Sequence, residues 1–207
     1  MKERNNFRRH LSHYWWAYLL SFVVSCSVWA WVIPAKTSLK NYEKVGIVFA
    51  IDKADEERIK NTIMEDAEIS LQAVDVYIQD PKSNYFSSLM QSAGRMSCDL
   101  YIFPLSLDES YIQTYCPRIE KDAFISEFGT DKEIIDVSGY SYGIKIKEEV
   151  LTSYLLPDHE INEEYGLFIN RDSMNFGEFY KKDGKKSESN HALKAFHSLL
   201  GGAENEN

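Results

Sequence analysis

Apolar and polar residues follow different rhythms in different parts of this chain. From Tyr14 to Ile33, YWWAYLLSFVVSCSVWAWVI, twenty consecutive positions carry no charge. A helix rises about 1.5 Å per residue, so a run of that length reaches across a hydrocarbon core of about 30 Å. All four tryptophans, Trp15, Trp16, Trp29 and Trp31, lie near its ends, where an amphipathic ring suits the lipid headgroup layer. The stretch predicts a transmembrane helix, with a basic head at 1–13 and a polar tether at 34–43.

Beyond the tether the rhythm alternates between strand and helix. Lys44 to Ile51 is a continuous apolar run with β-branched residues, as in a buried strand. Asp52 closes it and is placed to cap the helical stretch Ala54 to Asp66, whose first turn is acidic. Ser70 to Gln79 alternates, with Val74, Val76 and Ile78 on one face. Pro81 opens a helix over Lys82 to Ala93, with Gly94 to cap it. A third strand at Asp99 to Phe103 ends at Pro104, and Asp108 to Tyr115 is helical in type. Strands separated by helix-sized segments predict βαβ units.

Past Pro117 the pattern predicts short strands at Ala123 to Phe128 and Glu133 to Val137, then a turn-prone cluster, Gly139-Tyr140-Ser141-Tyr142-Gly143, and a strand Ile144 to Lys147. Glu148 to Leu156 reads as a short helix, Tyr165 to Asn170 as the last strand, 181–190 as a solvated loop and His191 to Leu200 as a final helix. Residues 201–207 read as a disordered tail. The expected fold is α/β: one three-layer domain over 44–200 with a mostly parallel sheet, carried behind a single N-terminal membrane helix.

Charge orients this arrangement. Lys2, Arg4, Arg8 and Arg9 precede the apolar run with only Glu3 against them, so the positive-inside bias puts the N-terminus in the cytoplasm and the domain outside the cell membrane. A rival reading takes Val23-Val24-Ser25-Cys26 as a lipobox, with Cys26 lipidated after cleavage. The residues that follow, SVWAWVIPA, stay apolar where a lipoprotein begins a polar tether, which favours the uncleaved helix. Both readings tether the domain to the membrane. After Lys36 the chain holds eighteen Lys and Arg against thirty-one Asp and Glu, a net charge of −13. That balance argues against nucleic-acid binding, which needs basic clusters.

No Walker loop, HExxH, GxSxG or EF-hand spacing occurs, and no CxxC, so neither an enzyme nor a cofactor or metal is expected. Cys98 and Cys116 are open to two readings, a disulfide or two buried thiols. The triplet Asp158-His159-Glu160 reads as a solvated loop rather than a metal site. Ligands of open parallel sheets gather beyond the carboxyl ends of the strands. The candidate binding residues there are Asp52, Asp80, Pro104 and Ser106. Tyr140 and Tyr142 join them, as aromatic rings beside small residues suit stacking on a sugar.

Three stretches also resemble a known family. DLYIFPLS follows two βα units, and Tyr142-Gly143-Ile144-Lys145-Ile146 precedes Tyr165-Gly166-Leu167-Phe168-Ile169-Asn170-Arg171-Asp172 by about twenty residues. In order and spacing they resemble the sugar-binding group of type II periplasmic-binding proteins, the extracellular solute-binding proteins of bacterial ABC importers, whose corresponding strands run near the hinge between two lobes. The chain lacks that group's usual proline near Lys145, and Ile169 stands where a tyrosine is common. Only a short segment and one helix follow Asp172, so the resemblance covers one lobe. It implies a membrane-anchored, solute-binding-like accessory of a carbohydrate transporter, with a sugar and a permease as expected partners. The alternative is an extracytoplasmic sensor or protein-interaction module without a small ligand.

Overall fold

In a computed structural model, residues 2–37, 39–65, 71–157 and 161–201 are described. Five helical stretches and six strands of the expected kind appear in the body, and the differences fall where short segments left the period ambiguous. The first strand, β1, is Lys44–Phe49 and ends short of Asp52. Asp52 is exposed in the following turn, and the helix Glu56–Met64 is capped instead by Asp55, whose side chain accepts from the Arg58 amide at 3.0 Å. Strand β2 is Ala73–Ile78. The next helix starts at Phe86 and passes through a wide turn, Met90–Gly94, before ending at Ser97. Gly94 lies inside that wide turn and does not cap the helix. Strand β3 is Leu100–Pro104.

Ala123 to Phe128, expected as a strand, lies in a helix, Lys121–Phe128. Its apolar residues Phe124 and Phe128 are one turn apart and buried, a 3.6-residue period hidden in a segment too short to declare it. Strand β4 is Ile134–Val137 and β5 is Tyr140–Lys145. The aromatic cluster expected as a turn is therefore mostly strand. The turn itself is Ser138 and Gly139, both at positive φ (52° and 83°), the conformation that a two-residue hairpin requires. The last strand, β6, is Tyr165–Ile169.

These strands form one sheet in the order β2-β1-β3-β6-β5-β4. The sheet is mixed, which corrects the expectation of a mostly parallel one. β1 runs parallel to β2 and β3, whereas β6 is antiparallel to β3, β5 to β6 and β4 to β5. The physical reason is length of connection: a two-residue link between β4 and β5 permits only an antiparallel pair. Helices cover both faces, giving the expected three layers. One face packs Ile47, Phe49, Ile102 and Leu167 against Ile59, Phe124, Leu151 and Phe196 of four helices. The other packs Val48, Tyr101, Phe103 and Phe168 against Phe86, Met90 and Ile112.

The glycines of the two Tyr-Gly pairs have a packing role. Gly143 and Phe168 are cross-strand partners, and a Cβ at Gly143 would stand 2.7 Å from the Phe168 ring. One at Gly166 would stand 2.8 Å from the same ring and 2.2 Å from Ile135. The Phe168 ring lies across both glycines, so this part of the sheet closes only with glycine there.

Residues Met1–Leu39 and Lys40–Asn207 form two separate compact units. In the first, Lys2–Thr37 is a single helix of 36 residues, so the basic head from Lys2 on and the first four residues of the expected tether are helical. Among the described residues no helix is long and apolar enough to cross a membrane. The expected crossing at 14–33 is thus without support from the fold. Side chains from Tyr14 to Trp29 stand largely exposed, with Phe22 at 69% and Trp29 at 63%. Cys26 is a free, exposed cysteine on this helix.

Candidate functional site

The antiparallel run of β6 decides where the strand ends meet. Because Pro104 at the end of β3 pairs with Tyr165 at the start of β6, the carboxyl edge of the parallel strands is also where β6 and β4 begin and β5 ends. Backbone hydrogen bonds fix these ends to one another: Leu105 N to Glu164 O at 2.8 Å, Ile146 N to Tyr165 O at 2.9 Å and Lys145 N to Glu133 O at 2.8 Å.

An open cleft of about 480 Å³ lies at this edge, within the size range of small-solute sites. Its apolar lining comes from Ile146, Leu151, Ile161 and Tyr165. Around them stand five carboxylates, Asp131, Glu133, Glu148, Glu163 and Glu164, and three lysines, Lys132, Lys145 and Lys147. Lys145 lies 2.7 Å from Glu164 and 3.2 Å from Glu133, and Lys132 lies 3.5 Å from Asp131. The hydrogen bond that Lys145 donates to Glu164 leads in holding Lys145 above the ordinary lysine range. The cations are thus matched inside the cleft, and the surplus charge is negative.

Tyr165 stands among these charges. It is only 5% exposed, and among the described residues no buried side-chain polar atom lacks a hydrogen-bond partner, so its hydroxyl is not a buried orphan. Burial, reinforced by the charges of Glu163, Asp52 and Asp80, pushes its phenol up to about 12. None of the four residues expected at the strand ends lines the cleft itself, although two of them touch residues that do: Pro104 pairs with the Tyr165 backbone, and the Ser106 hydroxyl donates to Glu163. Asp80 also accepts from the Lys82 amide at 2.8 Å, shaping the turn after β2.

Tyr140 and Tyr142 do not join them. β5 runs antiparallel to β6, so its first residues lie at the opposite, amino edge of the sheet. Tyr142 is buried, pushed onto the face of Phe168 by a bulge in β5. Tyr140 is exposed, but the Arg118 guanidinium sits over its ring at 4.2 Å and also donates from Nε to the Tyr142 hydroxyl at 3.2 Å. The face expected to stack on a sugar is stacked on an arginine of the chain itself.

The amino edge is otherwise sealed by a polar network. Asp99 is buried and accepts from the Gly46 amide at 3.2 Å, Ser173 Oγ at 2.5 Å and Asn175 Nδ2 at 3.1 Å. Burial pushes its carboxyl up to about 6 even though these donors pull it down. Asn170 Nδ2 donates to the carbonyls of Gly94, Arg95 and Cys98, and its Oδ1 accepts from the Asp172 amide at 2.9 Å. Arg171 donates to the carbonyls of Gln113 and Cys116, at 2.6 and 2.8 Å. Burial works against the charge of Asp172, but Lys182 and Arg95 still hold its carboxyl below the usual range. Cys98 and Cys116 are free, buried thiols, each raised by burial.

Among the described residues no group of three or more His, Cys, Asp or Glu is placed to hold a metal ion. The triplet Asp158-His159-Glu160 lies outside the described residues. Sequence reasoning missed Tyr165, Glu163 and Lys145 as site residues because only the antiparallel return of β6 brings them to the carboxyl edge. The paired acids just ahead of the Tyr-Gly strand were the available signal. In comparisons with known proteins, no family model, no curated protein and no solved structure matches this chain.

Proposed function

We propose that this chain is a solute-binding-like protein held at the outer face of a cell membrane, an accessory or degenerate substrate-binding component of a bacterial ABC importer. The observation that carries this reading is the cleft at the carboxyl edge, lined by residues of two of the three stretches on which the family resemblance rests, Lys145 and Ile146 of one and Tyr165 of another. Those stretches are β3, β6 and β5, adjacent in the sheet. A rigid sheet edge that frames an open cleft is the usual place for a ligand in an α/β fold. The resemblance favours a carbohydrate as solute, although the arginine over Tyr140 removes the stacking argument for it.

Twenty uncharged residues with tryptophans at both ends, the first seventeen of them described and presenting mostly exposed apolar side chains, support the membrane anchor, single-pass with the N-terminus in the cytoplasm. Cys26 lipidation is the other form of the same anchor. Alkaline washing of membranes tests it: the chain is expected to stay in the pellet, and recovery in the wash would refute the anchor. Thermal unfolding of the detergent-solubilised full chain against a panel of sugars, amino acids and amines tests the solute. Saturable stabilisation by at least one compound is expected, and a flat panel would reject solute binding.

A second reading, a protein-recognition module or sensor, is favoured by the exposed Tyr140–Arg118 pair, since tyrosine and arginine are enriched at protein interfaces. Crosslinking in cells that recovers one membrane partner, lost in Tyr140→Ala, would support it. A partner retained at full yield by that variant would not.

A further inference from the structure

The two helical layers of the domain differ in charge. On one face of the sheet the helices Glu56–Met64, Lys121–Phe128 and Glu148–Ser153 each carry two acids. On the other face lie residues 81–98 and 110–119, which hold the helix Phe86–Ser97 and most of Glu109–Tyr115. They contain Lys82, Arg95 and Arg118 and not one Asp or Glu. The outward side of Phe86–Ser97 is neutral and partly apolar: Tyr85 at its entry is 75% exposed and Met96 near its end 80%, with Ser88 and Ser92 exposed between them. These four positions recur three and four residues apart, so they share one face of the helix. Aromatic residues and Met are enriched at protein interfaces, and acids are depleted there.

Charge selects what covers this face. Two copies of a body with net charge −13 repel wherever acids face acids, and the acid-free layer is where they can meet without that cost. The face is also complementary to itself. About a two-fold axis between Ser88 and Ser92, two such helices run antiparallel, and the Tyr85 ring of each copy meets the Met96 thioether of the other in a favourable sulfur–aromatic contact. We propose that this chain forms a two-fold dimer in which the helix Phe86–Ser97 packs against the same helix of a second copy. Asp172, the acid that this helix contacts through Arg95, is matched by Arg95 at 2.6 Å and Lys182 at 2.7 Å, so it does not stand free to repel that copy. The dimer stands apart from the solute-binding reading and does not require it.

Sedimentation velocity of the full-length chain in mild detergent, over a wide range of protein concentration, tests it. A monomer–dimer equilibrium is expected. Tyr85→Ala is expected to raise the dimer dissociation constant about tenfold. Ser92→Glu is expected to raise it further, because it sets two acids against each other beside the axis. Both positions are exposed, so the melting temperature of each variant should stay at the wild-type value. Replacing the exposed Cys26 by Ser leaves only the buried thiols of Cys98 and Cys116. In that background Ser92→Cys should be joined to its mate by a short bis-maleimide, and Glu149→Cys on the opposite layer should not. A chain that stays monomeric throughout overturns the proposal. So does a dimer that both Tyr85→Ala and Ser92→Glu leave intact, since the contact would then lie elsewhere, or one in which Glu149→Cys crosslinks and Ser92→Cys does not.

Discussion

The two edges of the sheet are built from the same kinds of residue and put them to different ends. At the amino edge, Asp99, Asn170, Arg171 and Asp172 bond to residues 50 to 80 positions away in sequence, and no buried side-chain polar atom described there lacks a partner. At the carboxyl edge the charges pair at the exposed rim of an open cleft. The lesson is that polarity alone does not mark a site. A satisfied buried network is fold-holding, whereas exposed charges around a cavity hold little of the fold.

The comparison breaks most visibly at Asn170. Replacing it with Ala leaves the carbonyls of Gly94, Arg95 and Cys98 without that donor and the Asp172 amide without its acceptor. A loss of about 3 kcal/mol in denaturant-induced unfolding is expected, against no measurable loss for Lys145→Gln at the other edge. Equal costs for the two changes would erase the distinction between the edges.

Asp99 sharpens the same contrast through pH. Its carboxyl sits at about 6 in the fold against an ordinary 3.8, so between those values the folded state binds more protons than the unfolded one. Stability from this group therefore falls as pH rises through that window, by about 1.3 kcal/mol from pH 5 to pH 7. Lys44 is the cation acting on it, and Asp75 and Asp172 are the other charges near this edge. Unfolding of wild type and Asp99→Asn at both pH values isolates the increment, which the variant should lack. A smaller effect is expected at Arg118, half of the exposed stack on Tyr140: Arg118→Ala should cost about 0.5 kcal/mol.

Which parts of this were legible beforehand follows from the range of the interactions. The parallel half, β1 to β3, was readable because each strand is an uninterrupted apolar run and each intervening helix carries local start signals. The helix Lys121–Phe128 was misread because eight residues show barely two turns of period. Tyr140 and Tyr142 were assigned to the wrong edge because nothing local in β5 states its direction. That direction is set by the Ser138-Gly139 turn and by pairing with β6, more than twenty residues on. The cleft is hidden for the same reason: Glu133, Lys145 and Glu164 become neighbours only in the folded sheet. Asp52, Asp80 and Ser106 could be named from sequence because the rule that points to the ends of parallel strands needs only local information, yet none of them lines the cleft.

The finest difference between the edges lies at Lys145, the charge that could be mistaken for a structural clamp. Its ammonium is shared between Glu133 and Glu164, both largely exposed, with the Glu133 side chain at 70%. Exposed pairs of this kind contribute little to stability, because solvent screens them and ordering two long side chains offsets the attraction. Lys145→Gln is therefore expected to leave the unfolding midpoint where it is. Its effect should appear in binding, since removing one of three cations releases two carboxylates toward the cleft and deepens its negative field. Any cationic compound of the solute panel that stabilises wild type should bind the variant about threefold more tightly at low salt, with the gain fading as salt is added. Weaker binding of such a compound in Lys145→Gln would mean that the lysine organises the cleft as the amino-edge network organises its own, and the two edges would then differ only in degree.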